Sequence, residues 1–84
     1  MIEIETMTRL LGVLNSMGGY PARENVIYGQ FNASQPGVQT MATIREHLQH
    51  AKDKGWVDYI VDEIDRANKW FITPEGKAIL ANNR

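Results

Sequence analysis

The sequence predicts a single α+β domain in which three helices are followed by a β-hairpin and a last helix. Three observations support this order. Residues 39–57 have the pattern of an amphipathic helix that leads through a glycine into a strand, residues 56–64 and 70–72 are rich in β-branched and aromatic side chains, and residues 73–75 resemble a helix start. Because 84 residues can form one modest core and not two, we expect one domain over residues 1–84.

The first predicted helix spans residues 5–17, because its apolar side chains recur at the spacing of one helical face. These side chains are Met7, Leu10, Leu11, Leu14 and Met17. Gly18 and Gly19 end the helix, since glycine adopts a positive φ at little cost. Residues 1–5 alternate apolar and acidic side chains, and they predict either a short edge strand or the frayed start of this helix.

A short second helix is predicted to begin at Pro21, because the first turn of a helix does not need the N–H that proline lacks. Its apolar side consists of Ala22, Val26, Ile27 and Phe31, with the Tyr28 ring beside them. Residues 32–38 form the most loop-like stretch of the chain, with a turn at Pro36-Gly37.

The third predicted helix has one apolar and one polar face. Thr40 can cap its start, and Gly55 can take the left-handed conformation at its end. The apolar face consists of Met41, Ile44, Leu48 and Ala51. The polar face is of mixed charge and consists of Gln39, Thr43, Glu46, Gln49, His50 and Asp53. What this polar face contacts is therefore the functional question.

After the third helix the sequence predicts two strands joined by a charged turn at residues 65–69. The first strand-like run contains Trp56, Val57, Tyr59, Ile60, Val61 and Ile64, and the second is Trp70-Phe71-Ile72. We expect the two tryptophans on these strands to pack in the core or at the base of the hairpin, because a small domain needs its aromatic rings to bury area. The last helix begins with a capping Thr73, a Pro74 in the first position and Glu75 near the positive end of the helix dipole.

The composition excludes several classes of protein. The chain has no cysteine, which excludes disulfides, thiolate metal sites and cysteine nucleophiles. No apolar run approaches the about 18 residues of a membrane helix, and the first residues lack the features of a secretory signal, so we expect a soluble cytoplasmic protein without a membrane partner. The carboxylates are scattered and the interior is small, so we expect a protein that is not an enzyme and binds no cofactor.

Two features resemble ligand sites but have simpler interpretations. His47 and His50 lie three residues apart, but no third ligand at a fixed spacing accompanies them, so we expect no metal site. Helical spacing puts His47 toward the core side and His50 outward, and we interpret both as surface or flanking histidines. Gly76, beside Lys77, is a weak indication of phosphate binding, and close packing of the last helix on the hairpin is the preferred interpretation.

Two stretches carry a resemblance to a known superfamily. Thr40, Ile44, Leu48 and Ala51, leading to Gly55-Trp56-Val57, resemble the recognition helix of MarR-like and PadR-like regulators where it runs into the first wing strand. The second stretch, Phe71-Ile72-Thr73-Pro74-Glu75-Gly76-Lys77-Ala78-Ile79-Leu80, is similar to the leucine-threonine-x-x-glycine signature where the second wing strand turns into the next helix. Over most of residues 40–80 the chain thus resembles the winged helix-turn-helix superfamily.

The resemblance implies a three-helix core with a two-stranded β-hairpin wing and a C-terminal helix, and it implies a DNA-binding transcriptional regulator. In that geometry the third helix enters the major groove of double-stranded DNA, and the wing tip lies along the backbone or the minor groove. By position, the side chains that would face bases are Gln39, Thr40, Thr43, Glu46, Gln49 and His50. Those that would reach phosphates are Arg45 and Lys52 beside the helix and Arg66 and Lys69 at the wing tip.

The charges leave a second function open. The net charge is −1, and residues 40–69 hold five basic and six acidic side chains, whereas DNA-binding surfaces usually carry a basic patch. Glu46 and Asp53 lie on the face that would meet DNA, where a carboxylate repels phosphate although it can accept a hydrogen bond from a cytosine amine. A winged-helix module that binds a protein partner without DNA is therefore the alternative. For the DNA-binding function we expect a homodimer that pairs through the apolar residues of the first and last helices.

Overall fold

The computed structural model describes residues 2–33 and 39–82. The elements in these residues are α1 (Ile4–Ser16), β1 (Ala22–Arg23), α2 (Glu24–Ala33), α3 (Met41–Asp53), β2 (Val57–Val61), β3 (Asn68–Ile72) and α4 (Pro74–Asn82). The predicted turn at Pro36-Gly37 lies outside the described residues, and the predicted loop starts later than expected because Asn32 and Ala33 belong to α2. Among the described residues, no helix combines the length and apolar character needed to span a membrane.

The core forms around α1, which contacts α2, α3, α4 and β3. The predicted apolar faces of α1 and α3 supply most of its helical part: Met7, Leu10, Leu11, Leu14, Ile44, Leu48 and Ala51 are all buried. From α2, Ile27 and Phe31 are at most 1% exposed, whereas Val26, predicted on the same side, is 46% exposed. Burying one large aliphatic side chain contributes about 1.5–3 kcal/mol, so this cluster dominates the stability of the domain.

Local signals set the helix ends as predicted. The Thr40 hydroxyl caps α3 by accepting a backbone N–H of the first turn at 3.1 Å. Glu3 is extended and α1 begins at Ile4, so residues 2–5 lead into the helix and do not form an edge strand. The glycines predicted to end α1 and α3 have positive φ, with +67° at Gly18, +85° at Gly19 and +80° at Gly55.

A two-residue strand, β1, precedes α2 and is not predicted from the sequence. Ala22 lies opposite Trp70 and Arg23 opposite Lys69 in an antiparallel pairing with β3. The prediction that Pro21 begins α2 is therefore wrong, because the residues after the proline pair with β3 before the helix starts. The sheet has three strands in the order β1-β3-β2, where the sequence predicts only the two-stranded hairpin.

The hairpin of β2 and β3, called the wing below, ends in a turn from Asp62 to Ala67. The Asp62 N–H donates to the Ala67 carbonyl at 2.9 Å, while the carboxylates of Asp62 and Asp65 accept the N–H groups of Ile64 and Ala67. These side chain to backbone bonds favour a turn over a strand, so β2 ends before Asp62. Ile64, predicted within the first strand, lies in the turn and is 96% exposed.

Strand β2 lies at the edge of the sheet, with β3 as its only strand neighbour among the described residues. In an antiparallel ladder, hydrogen-bonded residue pairs alternate with pairs that are not hydrogen-bonded. The pairs at the two ends of this ladder, Asp62 with Ala67 and Trp56 with Thr73, are hydrogen-bonded, so Tyr59 and Trp70 form a pair that is not. The backbone N–H of Tyr59 therefore points away from β3. It donates instead to the Asp58 carboxylate at 2.8 Å.

The start of α4 packs directly against the residue that leads into the wing. The Thr73 hydroxyl accepts the Gly76 N–H at 3.1 Å and donates to the Gly55 carbonyl at 2.6 Å. Gly76 is buried, and a Cβ there would lie 2.0 Å from the Trp56 carbonyl oxygen, so the packing interpretation of this glycine is confirmed. Trp70 is 3% exposed and Trp56 is packed against the core, although Trp56 lies just before β2 and not on it.

Candidate nucleic-acid interface

The exposed side of α3 is narrower than its predicted polar face. Arg45, Glu46 and Gln49 are exposed on it, together with Ala42 and Asp53. The Gln49 amide donates to the Asp53 carboxylate at 3.1 Å, one turn further along the helix. Glu46 and Gln49 are thus the predicted base-facing residues that lie on the middle of this side.

Gln39, Thr40 and Thr43 lie at the start of α3, where their polar groups bond to nearby atoms. The Asn32 amide donates to the Gln39 carbonyl at 3.1 Å and accepts the Gln39 N–H at 2.9 Å. The Thr40 hydroxyl donates to the Thr43 hydroxyl at 3.0 Å in addition to capping the helix. Thr40 is exposed, whereas Gln39 and Thr43 are half-buried. These residues therefore fix how α3 begins and which side of it faces outward.

The prediction that His50 points outward is wrong. Its ring is half-buried and lines an apolar groove of about 260 Å³ between α1 and α4, together with Met7 and Ile79. It also meets the Trp56 ring edge-on, with the ring centroids 6.3 Å apart. The ring therefore lies away from the exposed side of α3, and His50 is not part of the candidate interface.

His47 is fully buried, so the prediction that it lies toward the core side is confirmed, and its interpretation as a surface side chain is wrong. Its Nε2 accepts the Glu3 N–H at 3.1 Å, and Nδ1 therefore carries the proton and donates it to the Thr43 carbonyl at 2.8 Å. The ring ties the start of α1 to α3. Within residues 2–33 and 39–82, no group of three or more His, Cys, Asp or Glu side chains is arranged to hold a metal ion.

Arg45 carries the most exposed charge among the ion-paired side chains of this region, with 63% of its side chain accessible. Its Nε donates to the Glu24 carboxylate at 2.7 Å. The other oxygen of Glu24 accepts the indole N–H of Trp70 at 3.1 Å. One carboxylate at the start of α2 therefore joins α3 to β3.

Four charged side chains tie the wing to β1. Asp62 accepts a hydrogen bond from Arg23 and pairs with Lys69, each at 3.0 Å, and Arg23 also bonds to Asp65. The hydrogen bond from Lys69, together with that from the Ile64 N–H, lowers the pKa of Asp62 to about 2. Lys69 lies within β3 and faces Asp62, so it is not at the wing tip as predicted.

We expect Asp62→Asn to lower the melting temperature at neutral pH and to have less effect in acid. The folded-state pKa lies below the ordinary value of 3.8, so the carboxylate stabilises the fold above that pH, and the contribution is lost as the pH falls through about 2. Thermal melting of both proteins across this range measures the effect. Glu63→Gln, which removes an exposed wing carboxylate, is the control and should change little. If the melting temperature of Asp62→Asn stays below that of the wild type by the same amount down to about pH 2, the lowered pKa of Asp62 is contradicted.

Lys52 and Arg66 differ in how far they extend from the protein. Lys52 is half-buried along β2, with its Nζ 3.6 Å from the Asp58 carboxylate and 5.4 Å from the centroid of the Tyr59 ring. Arg66 is exposed in the wing turn with φ of +62°, a conformation that residues other than glycine adopt at a cost. Of the predicted phosphate-facing residues, Arg45 and Arg66 therefore present their charges most openly.

A polar groove of about 500 Å³ lies between the start of α2, α3 and the wing turn. Its lining residues are Arg23, Glu24, Asn25, Arg45, Asp65, Ala67 and Asn68. The groove brings Arg45 and the wing turn to one side of the molecule. The sequence does not predict that Arg23, Glu24 and Asn25 line this groove. They follow Pro21 directly, and nothing in that stretch indicates which distant residues they will face.

Comparison with solved structures identifies the architecture. A MarR family transcription regulator superposes with a TM-score of 0.74 at 18% identity, over 95% of this chain and 48% of that chain. A PadR family transcription regulator from hypervirulent Clostridium difficile R20291 gives 0.81 at 15% identity, over 93% and 81%. Streptococcus pneumoniae FabT, solved in complex with DNA, gives 0.68 at 17% identity, over 98% and 52%. No protein-family model and no curated protein sequence matches the chain.

The chain spans about half the length of the MarR family regulator and of FabT, and most of the PadR family regulator. At these identities the similarity concerns the fold. Helices α1 to α3 form the helical core, the wing follows α3, and β1 adds a third strand to the sheet. The chain therefore has the winged helix-turn-helix fold.

Proposed function

We propose that this chain is a DNA-binding transcriptional regulator, in which α3 enters the major groove and the wing turn lies against the backbone. The observation that carries the proposal is the groove that joins Arg45 on α3 to the wing turn, because it puts the exposed guanidinium of Arg45 and the turn that contains the exposed Arg66 on the side where a duplex would dock. FabT, which has a similar fold, was solved in complex with DNA, and this supports DNA as the ligand.

The mixed charge of this region is a weaker argument against DNA binding than the sequence alone indicates. Asp62 and Asp65 are paired with Arg23 and Lys69, so these two carboxylates do not act as isolated negative charges. The count of charged side chains over residues 40–69 does not include Arg23. Glu46 and Asp53 remain on the exposed side of α3, where Glu46 can accept a hydrogen bond from a cytosine amine.

The experiment is a fluorescence anisotropy titration with mixed-sequence duplex DNA at about 50 and about 200 mM salt. The affinity should fall as salt rises, because binding to phosphates releases counterions. In Arg45→Ala/Arg66→Ala the slope of log K against log salt should be shallower by about 1 for each phosphate that the variant no longer neutralises. Lys77→Ala, which removes an exposed charge on α4, is the matched control and should behave as the wild type.

A wild type that binds no duplex even at the lower salt concentration would exclude this function. The alternative is then a winged-helix module that binds a protein partner. A specific observation favours that alternative: the wing carries three exposed aliphatic side chains, Ile60, Val61 and Ile64, which are 51%, 48% and 96% exposed. Exposed apolar groups of this kind are typical of protein contact surfaces.

We also propose that the protein acts as a cytoplasmic homodimer and is not an enzyme. The apolar groove between α1 and α4, with the exposed Ile4 at its edge, supports pairing through these helices. Two copies would present two α3 helices to two half-sites. Light scattering measures the oligomeric state directly, and a monomer at the concentrations used for DNA binding would contradict the dimer.

A further inference from the structure

We propose that Glu24 is a positioning residue that holds the Arg45 side chain in the orientation in which it meets DNA. The inference rests on the proposed function and adds to it a residue that itself needs no contact with the nucleic acid. Glu24 bonds Arg45 through Nε at 2.7 Å. This bond uses Nε, so it does not occupy the outer edge of the guanidinium, between the two terminal amino groups, on a side chain that is 63% exposed.

Glu24 is itself held in place. One carboxylate oxygen accepts the Trp70 indole N–H at 3.1 Å, and the other accepts the Arg45 Nε–H. Trp70 is 3% exposed and lies in the central strand, opposite Ala22 and Tyr59. The buried ring thus anchors the carboxylate, and the carboxylate anchors the arginine. These bonds connect β3 through the start of α2 to α3, and each of these elements contributes to the lining of the polar groove.

The geometry suits the contacts that arginine makes with DNA. The outer edge of a guanidinium can donate two parallel hydrogen bonds to a phosphate or to the major-groove edge of guanine. A long side chain normally loses rotamer freedom when such a contact forms. Because Glu24 fixes the Nε end, part of this ordering occurs when the protein folds and not when DNA binds.

Simple electrostatics predicts the opposite effect of Glu24. A carboxylate beside a DNA-contacting arginine reduces the local positive charge, so its removal should tighten binding to a polyanion. If Glu24 positions Arg45, its removal should weaken binding even though the protein gains positive charge. The sign of the change in affinity therefore separates the two mechanisms.

The test is a double-mutant cycle on duplex affinity with wild type, Glu24→Ala, Arg45→Ala and the double variant. We expect Glu24→Ala to weaken binding about fivefold, Arg45→Ala to weaken it about tenfold, and the double variant to bind no more weakly than Arg45→Ala alone. Glu24→Gln keeps an acceptor for the Arg45 Nε–H and should recover part of the affinity. The inference would be overturned if Glu24→Ala bound duplex DNA as tightly as the wild type or more tightly. It would also be overturned if Glu24→Ala reduced the affinity by the same factor in the wild type and in Arg45→Ala.

A measurement without DNA keeps the two proposals separate. In the wild-type NMR spectrum the Arg45 Nε–H should exchange slowly with water, and in Glu24→Ala it should exchange at least about tenfold faster. The Trp70 indole signal should shift in the same variant, while that of Trp56 stays in place. An unchanged Arg45 exchange rate, or a wild type that binds DNA but gives no coupling in the cycle, would overturn this inference alone. A wild type that binds no duplex would overturn the proposed function as well.

Discussion

Replacing Gly76 with alanine is expected to lower the free energy of unfolding by about 3 kcal/mol. The new Cβ would lie 2.0 Å from the Trp56 carbonyl oxygen and 2.8 Å from Cγ1 of Ile72. Rotating the end of a flexible side chain cannot relieve the closer of these clashes, because the nearest atom belongs to the backbone. The backbone must move instead, and the Trp56 carbonyl also accepts the Thr73 N–H at 3.0 Å. Urea denaturation followed by tryptophan fluorescence measures the decrease.

Gly29→Ala is the matched control for this experiment. Gly29 also lies in a helix, α2, but a Cβ there would meet no atom within 4 Å. Because alanine restricts the unfolded chain more than glycine does, Gly29→Ala should raise the free energy of unfolding by about 0.5–1 kcal/mol. Opposite signs for the two variants would support close packing at Gly76. A Gly76 variant as stable as the wild type would show that α4 does not pack tightly against Trp56.

His47→Ala is expected to lower the free energy of unfolding by about 3 kcal/mol. The substitution removes a fully buried ring, leaves a cavity between α1 and α3, and leaves the Glu3 N–H without its acceptor. His50→Ala, three residues later on the same helix and half-buried, is the control and should cost less than about 1 kcal/mol. Chemical denaturation gives both values. Equal costs for the two histidines would contradict the structural role assigned to the His47 bonds.

Helices α1 and α3 were predictable because their determinants are local. The apolar spacing of α1 and α3, the Thr40 cap and the glycines after each helix lie within a few residues of the features that they specify. Strand β1 was not predictable in this way. It contains two residues, and it exists because β3, far along the chain, presents backbone groups to Ala22 and Arg23.

The candidate interface was only partly predictable, for the same reason. Periodicity places Arg45 on the outer side of α3, but the Glu24 carboxylate that holds it is 21 residues away in sequence. The Asp62 partner Arg23 is 39 residues away. Helical spacing puts His47 toward the core side, but it does not reveal the bond from the Glu3 N–H that the buried ring accepts. The spacing of residues along one helix cannot predict which side chains or backbone groups of other elements will bond to it.

The hydrogen bond between the Tyr59 N–H and the Asp58 carboxylate bears on solubility. An outer strand with unsatisfied N–H groups is a template on which a second molecule can add a strand, and such pairing leads to aggregation. On β2 the Asp58 carboxylate, which also lies 3.6 Å from the Lys52 Nζ, occupies one such donor. This bond therefore opposes strand addition on the edge that carries the half-exposed Ile60 and Val61.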